Sequence, residues 1–223
     1  MIAKMDDGHP AERLDIGETG SDGSAPPHWL DEPRNIALLV IAQGAVGFGL
    51  GLAIWVASGR APSAFFAWRP GDLVVAAATA AILIGAMGAV VLAFPRFLAW
   101  AADRQRLYFA HGRRYRPAHI LLISLSAGIG EEALFRGGLQ TLAADHLPAW
   151  AAILLVSLLF AALHIRSRGV FAFVLAYSLL FGAVYHATAS LVGVMLAHAA
   201  FDVWALALVQ RELVRQGAVN AQS

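Results

Sequence analysis

Two adjacent glutamates lie inside a strongly apolar stretch of this chain, Glu131 and Glu132, and Arg136 follows four residues after the second. That spacing places Glu132 and Arg136 on one face of a helix and predicts an ion pair. Glu131 would point about 100° away from the pair. A carboxylate in a low-dielectric cavity can act as a general base, and intramembrane charges are functional by default. The alternative is that these charges only hold helices together.

Two later stretches carry polar side chains at the same spacing. Phe160 and His164 are four residues apart at the end of one apolar run, and His198 and Asp202 are four apart inside another. The alternatives are an interfacial histidine that caps its helix and a mutually satisfied buried pair. Burying a polar pair without purpose is costly, so a single site built from three helices is the favoured interpretation.

The motifs Glu-Glu-x-x-x-Arg, Phe-x-x-x-His and His-x-x-x-Asp, in this order, resemble a known family over about residues 120–206. This is the CPBP family, the type II CAAX prenyl endopeptidase and bacteriocin-processing (Abi) intramembrane proteases. Gly137 after the arginine and the Leu-Ala-His-Ala context of His198 are also similar. The resemblance implies hydrolysis of a peptide bond inside the membrane.

The resemblance also implies roles for the residues of the first two motifs. Glu131 would activate the attacking water, with His164 beside it. Glu132 and Arg136 would hold the helix and tune the neighbouring carboxylate. All four side chains would then serve one nucleophilic water.

In the third motif, His198 and Asp202 would polarise the scissile carbonyl and stabilise the oxyanion. The family often has Asn at the last position, where this chain has Asp202. An ionised aspartate can orient His198 but donates no hydrogen bond. An amide-type role at this position is therefore not expected.

A metal site is one of two chemistries that the resemblance leaves open. Glu131, His164 and His198 form a ligand set with a fourth position for water, as catalytic zinc requires. The family is commonly called metalloprotease for this reason, and the ligand set slightly favours zinc. In the metal-free alternative, Glu131 and His164 activate water directly. The zinc helix motif His-Glu-x-x-His does not occur in the chain.

Membrane-spanning helices must position these residues. Of the 223 residues, 59% are hydrophobic and 14% are charged, and the mean hydropathy is +0.64, which predicts an all-α integral membrane protein. About 20 residues cross about 30 Å of hydrocarbon. Six runs fit, and they cover approximately residues 36–57, 73–94, Pro117 into the glutamate pair, 149–165, 170–185 and 190–209.

Small residues in the first two runs predict close helix packing in lipid; the first run has four glycines, at Gly44, Gly47, Gly49 and Gly51. The expected depths of Glu131 and His164 in the membrane do not agree. Glu131 would lie about 21 Å from the start of its helix, whereas His164 would end its own. For them to meet, either the third helix begins in the interface and tilts, or the fourth continues past Arg166.

The chain ends differ from the apolar middle. Residues 1–34 are acidic and rich in Gly, Ser and Pro, which predicts a disordered tail. They lack the basic start and apolar run of a signal peptide, so the first run is expected to be retained. A helical protease domain at residues 35–211 and a polar tail at 212–223 follow. Residues 97–115 are predicted to hold an interfacial helix.

Charge and cysteine content exclude several functions. Thirteen of the sixteen Lys and Arg lie in four stretches, namely residues 1–34, 96–116, 166–168 and 211–223. The positive-inside rule therefore predicts both termini in the cytoplasm, at a cell inner or plasma membrane. A net charge of +1 without a basic run argues against nucleic-acid binding. The absence of cysteine excludes thiolate chemistry.

The expected substrate is a peptide or a membrane-protein segment, and the family name implies a prenylated carboxyl-terminal peptide. Two other classes could use the same polar residues. A non-proteolytic immunity or scaffold protein would bind a partner with them. A proton-coupled transporter would use them as a relay, but it predicts inverted repeats, which the sequence does not display.

Overall fold

The computed structural model describes residues 32–105 and 114–219, which form an all-helical bundle without a strand. In chain order its elements are α1 (Pro33–Ala57), α2 (Pro62–Phe65), α3 (Asp72–Ala93), α4 (Pro95–Gln105), α5 (Pro117–Glu132), a π-helical segment (Ala133–Gln140), α6 (Thr141–Ala144), α7 (Ala149–Leu163), α8 (Arg168–Thr188) and α9 (Leu191–Arg215).

Five of these stretches are long and apolar enough to cross a membrane, namely α1, α3, the continuous run Pro117–Ala144, α8 and α9. The shorter apolar helix α7 is the sixth predicted span. The predicted all-α bundle is thus confirmed. Of the predicted amino-terminal tail, residues 1–31 lie outside the described residues. The predicted interfacial helix is described only as α4.

The short length of α7 resolves the difficulty of depth. The helix has 15 residues and ends at Leu163, so the alternative that it continues past Arg166 is wrong. Fifteen residues rise about 22 Å, which is less than the hydrocarbon thickness of about 30 Å. A helix this short can end at the level of Glu131, and His164, which follows its last residue, lies 3.9 Å from that carboxylate.

The third span changes its winding immediately after the glutamate pair. Ala133–Gln140 is π-helical, and α6 follows without a break. Hydrogen bonds between residues i and i+5 widen such a segment. Turns of π-helix are rare in proteins, and those that occur often lie at functional sites. The Thr141 hydroxyl donates to the Arg136 carbonyl oxygen at 2.8 Å, which satisfies a backbone acceptor inside this segment.

Glycines bring α1 and α5 into backbone contact, as the small residues predicted. A Cβ added at Gly130 would overlap the backbone of Gly44, and one at Gly44 would overlap Ser126. The Ser126 hydroxyl donates to the Val40 carbonyl oxygen at 3.1 Å. Close approach of α1 therefore fixes the turn of α5 that carries Glu131.

Replacing Gly130 by Ala should lower the free energy of unfolding by about 1–3 kcal/mol, because the methyl group overpacks this contact. Gly49→Ala is the matched control, since a Cβ there meets nothing within 4 Å. Thermal unfolding in detergent compares the two variants with the wild type. Equal melting temperatures for Gly130→Ala and Gly49→Ala would contradict the close packing.

A buried carboxylate joins the start of α9 to the start of α3. Asp72 is 1% exposed; it accepts from the Arg69 backbone N–H at 2.7 Å and from the Ser190 hydroxyl. The Ser190 oxygen in turn accepts from the Gly193 N–H at 3.1 Å and caps α9. This link fixes the helix that carries the third motif.

The other end of α9 is tied to the entry of α5. The Gln210 side chain accepts from the Tyr115 backbone N–H at 2.7 Å and donates to the Tyr115 carbonyl at 3.2 Å. The helix continues to Arg215, beyond the predicted end near residue 209, and therefore into the predicted carboxyl-terminal tail. The start of α9 is thus linked to α3, and its other end is linked to the entry of α5, the helix that carries the glutamates.

Candidate active site

The predicted ion pair between Glu132 and Arg136 lies fully buried at the junction of α5 and the π-helical segment. Arg136 Nε lies 3.0 Å from Glu132 Oε2, and neither side chain is exposed. The approach is close but is not aligned as a hydrogen bond. Arg136 Nη2 also donates to Ser178 Oγ at 3.0 Å, and the guanidinium lies over the Phe160 ring.

The other oxygen of Glu132 holds a histidine. Glu132 Oε1 lies 2.9 Å from His198 Nδ1. A carboxylate paired with arginine can only accept, so Nδ1 carries the hydrogen, as the hydrogen-bond network assigns it. His198 Nε2 is left facing the cavity, 3.5 Å from Asp202 Oδ2. Asp202 was expected to orient His198, but the shorter contact is to Glu132.

The second histidine is fixed in the same tautomer by its own helix. His164 Nδ1 lies 2.8 Å from the Phe160 carbonyl oxygen, which can only accept. The imidazole stacks on the Phe160 ring at 4.4 Å between centroids, and Phe135 meets Phe160 edge on. His164 therefore also turns Nε2 away from its helix.

Glu131 lies between the two histidines. Its Oε1 is 3.9 Å from His164 Nε2, and its Oε2 is 3.9 Å from His198 Nε2. These separations are too long for hydrogen bonds and suit a bridging water. The structure thus brings all six predicted site residues together: Glu131, Glu132, Arg136, His164, His198 and Asp202.

The donor atoms are of the kind that zinc binds, but they are not gathered as a metal site. Zinc takes imidazole nitrogens and carboxylate oxygens at about 2.0–2.2 Å. Within residues 32–105 and 114–219, no group of three or more His, Cys, Asp or Glu is arranged to hold a metal ion. Zinc at Glu131, His164 and His198 stays a prediction from the resemblance.

Two cavities meet at Glu131 and His164, which line both. The larger, about 390 Å³, also contains His198 and Asp202 in its wall. The smaller, about 250 Å³, lies between α1 and the end of α7 and is mostly apolar. Its wall includes the exposed side chains of Val46, Leu50 and Leu163. The site is thus accessible from the larger cavity and also from the smaller one, which forms a groove at the apolar outer surface between α1 and α7.

Two polar residues of the site were missed in the sequence, and both lie on α8. Ser178 is fully buried and accepts from Arg136. Tyr177 lines the larger cavity, and its ring meets that of His198 edge on. A Tyr-Ser pair inside an otherwise apolar run was the signal that could have indicated them.

Comparison with known proteins agrees with the geometry. Residues 114–204 match the family model described as "Type II CAAX prenyl endopeptidase Rce1-like", and this segment contains all six predicted site residues. The family resemblance is thus confirmed over that segment. A membrane-embedded helical bundle with an Rce1-like segment is the class that fold and site define.

One curated relative gives a partial match. "Uncharacterized protein YpbD" of Bacillus subtilis (strain 168) is 39% identical over 101 residues, which are 44% of this chain and 49% of that protein. The match thus spans about half the length of the curated relative. No match to a solved structure was found.

Proposed function

We propose that the protein is an intramembrane endopeptidase that hydrolyses a peptide bond by activating water at Glu131. The observation that carries the proposal is the convergence of the Glu131 carboxylate with the Nε2 atoms of His164 and His198. Three helices supply these groups, and the cavity beside them is large enough for water and an extended peptide backbone. The family match to a prenyl endopeptidase supports the reaction class.

In the proposed reaction, a water molecule lies between Glu131 and the histidines. Glu131 accepts a proton from this water while the oxygen attacks the scissile carbonyl carbon. His198, held through Nδ1 by Glu132, stabilises the oxyanion from Nε2 when it carries a proton there. The proton on Glu131 then passes to the leaving nitrogen and the C–N bond breaks, which releases a carboxylic acid and an amine and leaves Glu131 ionised again.

The two cavities and the family match support a substrate class for this proposal. A peptide backbone would lie in the larger cavity, and an apolar anchor such as a prenyl group would lie in the groove between α1 and α7. A lipid-anchored carboxyl-terminal peptide fits both, and a membrane-protein segment is the alternative substrate. Both termini would face the cytoplasm of a cell inner or plasma membrane, as the charge distribution supports.

A cleavage assay with quenched fluorescent peptides tests the proposal. The set contains peptides ending in a farnesylated cysteine plus three aliphatic residues, the same peptides without farnesyl, and transmembrane segments. Detergent-purified wild type should cut at least one member at a single bond, and His198→Ala should not. Metal content, measured by mass spectrometry before and after chelation, tests zinc separately. A stable wild type that cuts no member would instead favour the scaffold class.

A further inference from the structure

A buried tyrosine beside the site has a hydroxyl without a protein partner among the described residues. Tyr177 on α8 lines the same 390 Å³ cavity as Glu131, His198 and Asp202. Its ring centroid lies 5.3 Å from that of His198, in an edge-on arrangement. The side chain is 7% exposed, and its hydroxyl has no hydrogen-bond partner among residues 32–105 and 114–219. Leaving such a hydroxyl unsatisfied is costly, so a bound molecule is its expected partner.

Other buried hydroxyls of the bundle do not share this combination. Tyr185, two turns further along the same helix, lies 3.0 Å from the Thr141 hydroxyl and is therefore satisfied. Ser124 and Ser157 also have buried hydroxyls without partners, but neither lines the cavity. Tyr177 alone among these four is both unsatisfied and placed where a substrate would bind.

The chemistry of the site needs a donor of this kind. A tetrahedral oxyanion is stabilised by preorganised hydrogen-bond donors, and an ionised Asp202 can only accept. His198 Nε2 supplies one donor when it carries a proton, and Tyr177, a residue of the same cavity wall, carries a second donor. We infer that Tyr177 is a further catalytic residue, which donates its hydroxyl hydrogen to the oxyanion of the hydrolysis proposed above. No bond to the phenol forms or breaks, and the hydroxyl keeps its proton.

Tyr177→Phe tests the inference, because it removes only the hydroxyl. We expect kcat to fall about 100-fold, as for loss of one oxyanion donor, with KM nearly unchanged. The melting temperature should stay the same or rise, since the lost hydroxyl has no protein partner. Tyr185→Phe is the matched control. It should lower the melting temperature by removing the contact with Thr141 and leave kcat unchanged.

The assay uses the farnesylated or unmodified peptide that wild type cuts fastest, with Glu131→Gln as the inactive reference. Equal kcat for Tyr177→Phe and Tyr185→Phe, with Glu131→Gln inactive, would overturn the role of Tyr177 and leave the proposed function intact. A joint fall of kcat and melting temperature in Tyr177→Phe would mark a structural role and also overturn it. A wild type that cuts no peptide would overturn both proposals.

Discussion

Replacing Glu131 by Gln should lower kcat for peptide hydrolysis by about 10²- to 10⁴-fold, the usual contribution of a general base. The amide has nearly the same size but cannot accept the proton of the attacking water. Its effect on folding should be small, because the Glu131 oxygens approach His164 and His198 no closer than 3.9 Å. Initial rates and melting temperatures, measured on the same preparations, separate these two effects.

Glu212→Gln is the matched control for this change. Glu212 is another buried glutamate, on the last turn of α9, and it accepts from Arg215 at 2.6 and 2.7 Å. It lies outside both cavities, so its amide variant should keep the wild-type kcat. Full activity of Glu131→Gln, with single-turnover rates unchanged, would remove Glu131 from the chemistry and transfer the role of base to another group.

The helices and the site residues could be predicted because both depend on local patterns. A run of about 20 apolar residues is long enough to cross the bilayer. Each run became a helix near its expected limits, except that α9 continues from the expected end near residue 209 to Arg215. Spacing of four residues placed Glu132 beside Arg136 on one face. The order of the three motifs then indicated that separate helices meet, which their periodicity alone could not establish.

The features that were not predicted depend on contacts between distant residues. The π-helical segment follows the glutamates without a sequence signal of its own. The contact of Glu132 with His198 joins residues 66 positions apart, so no helical periodicity could indicate it. Asp72 and Ser190 are 118 positions apart. Local spacing favoured Asp202 as the partner of His198, whereas in the structure Glu132 lies closer to that imidazole.

Glu132 therefore has two roles, and the spacing of four residues indicated only its contact with Arg136. One oxygen contacts Arg136, and the other accepts from His198, so the buried carboxylate connects the π-helical segment to α9. A carboxylate that orients a histidine through Nδ1 is a frequent device in hydrolytic sites, where it sets the tautomer. The ion pair thus supports the fold and also prepares His198 for its task.

Replacing Arg136 by Met should destabilise the protein by about 3–5 kcal/mol, because it leaves Glu132 as a buried charge without its counter-ion. Arg60→Met is the matched control. Arg60 also contacts a carboxylate, that of Asp145 at 2.6 Å, but both side chains are partly exposed. Loss of an exposed pair should cost less than about 1 kcal/mol. Unfolding in mixed detergent micelles gives both values.

The double variant Glu132→Gln with Arg136→Met separates folding from catalysis. Removing both charges should restore most of the stability lost in Arg136→Met, since a buried pair can often be replaced at little cost. The kcat should stay low, because the amide at position 132 holds no charge to fix the His198 imidazolium. Additive losses of stability in the double variant would show that the two charges act independently. A wild-type kcat would show that Glu132 has no part in placing His198.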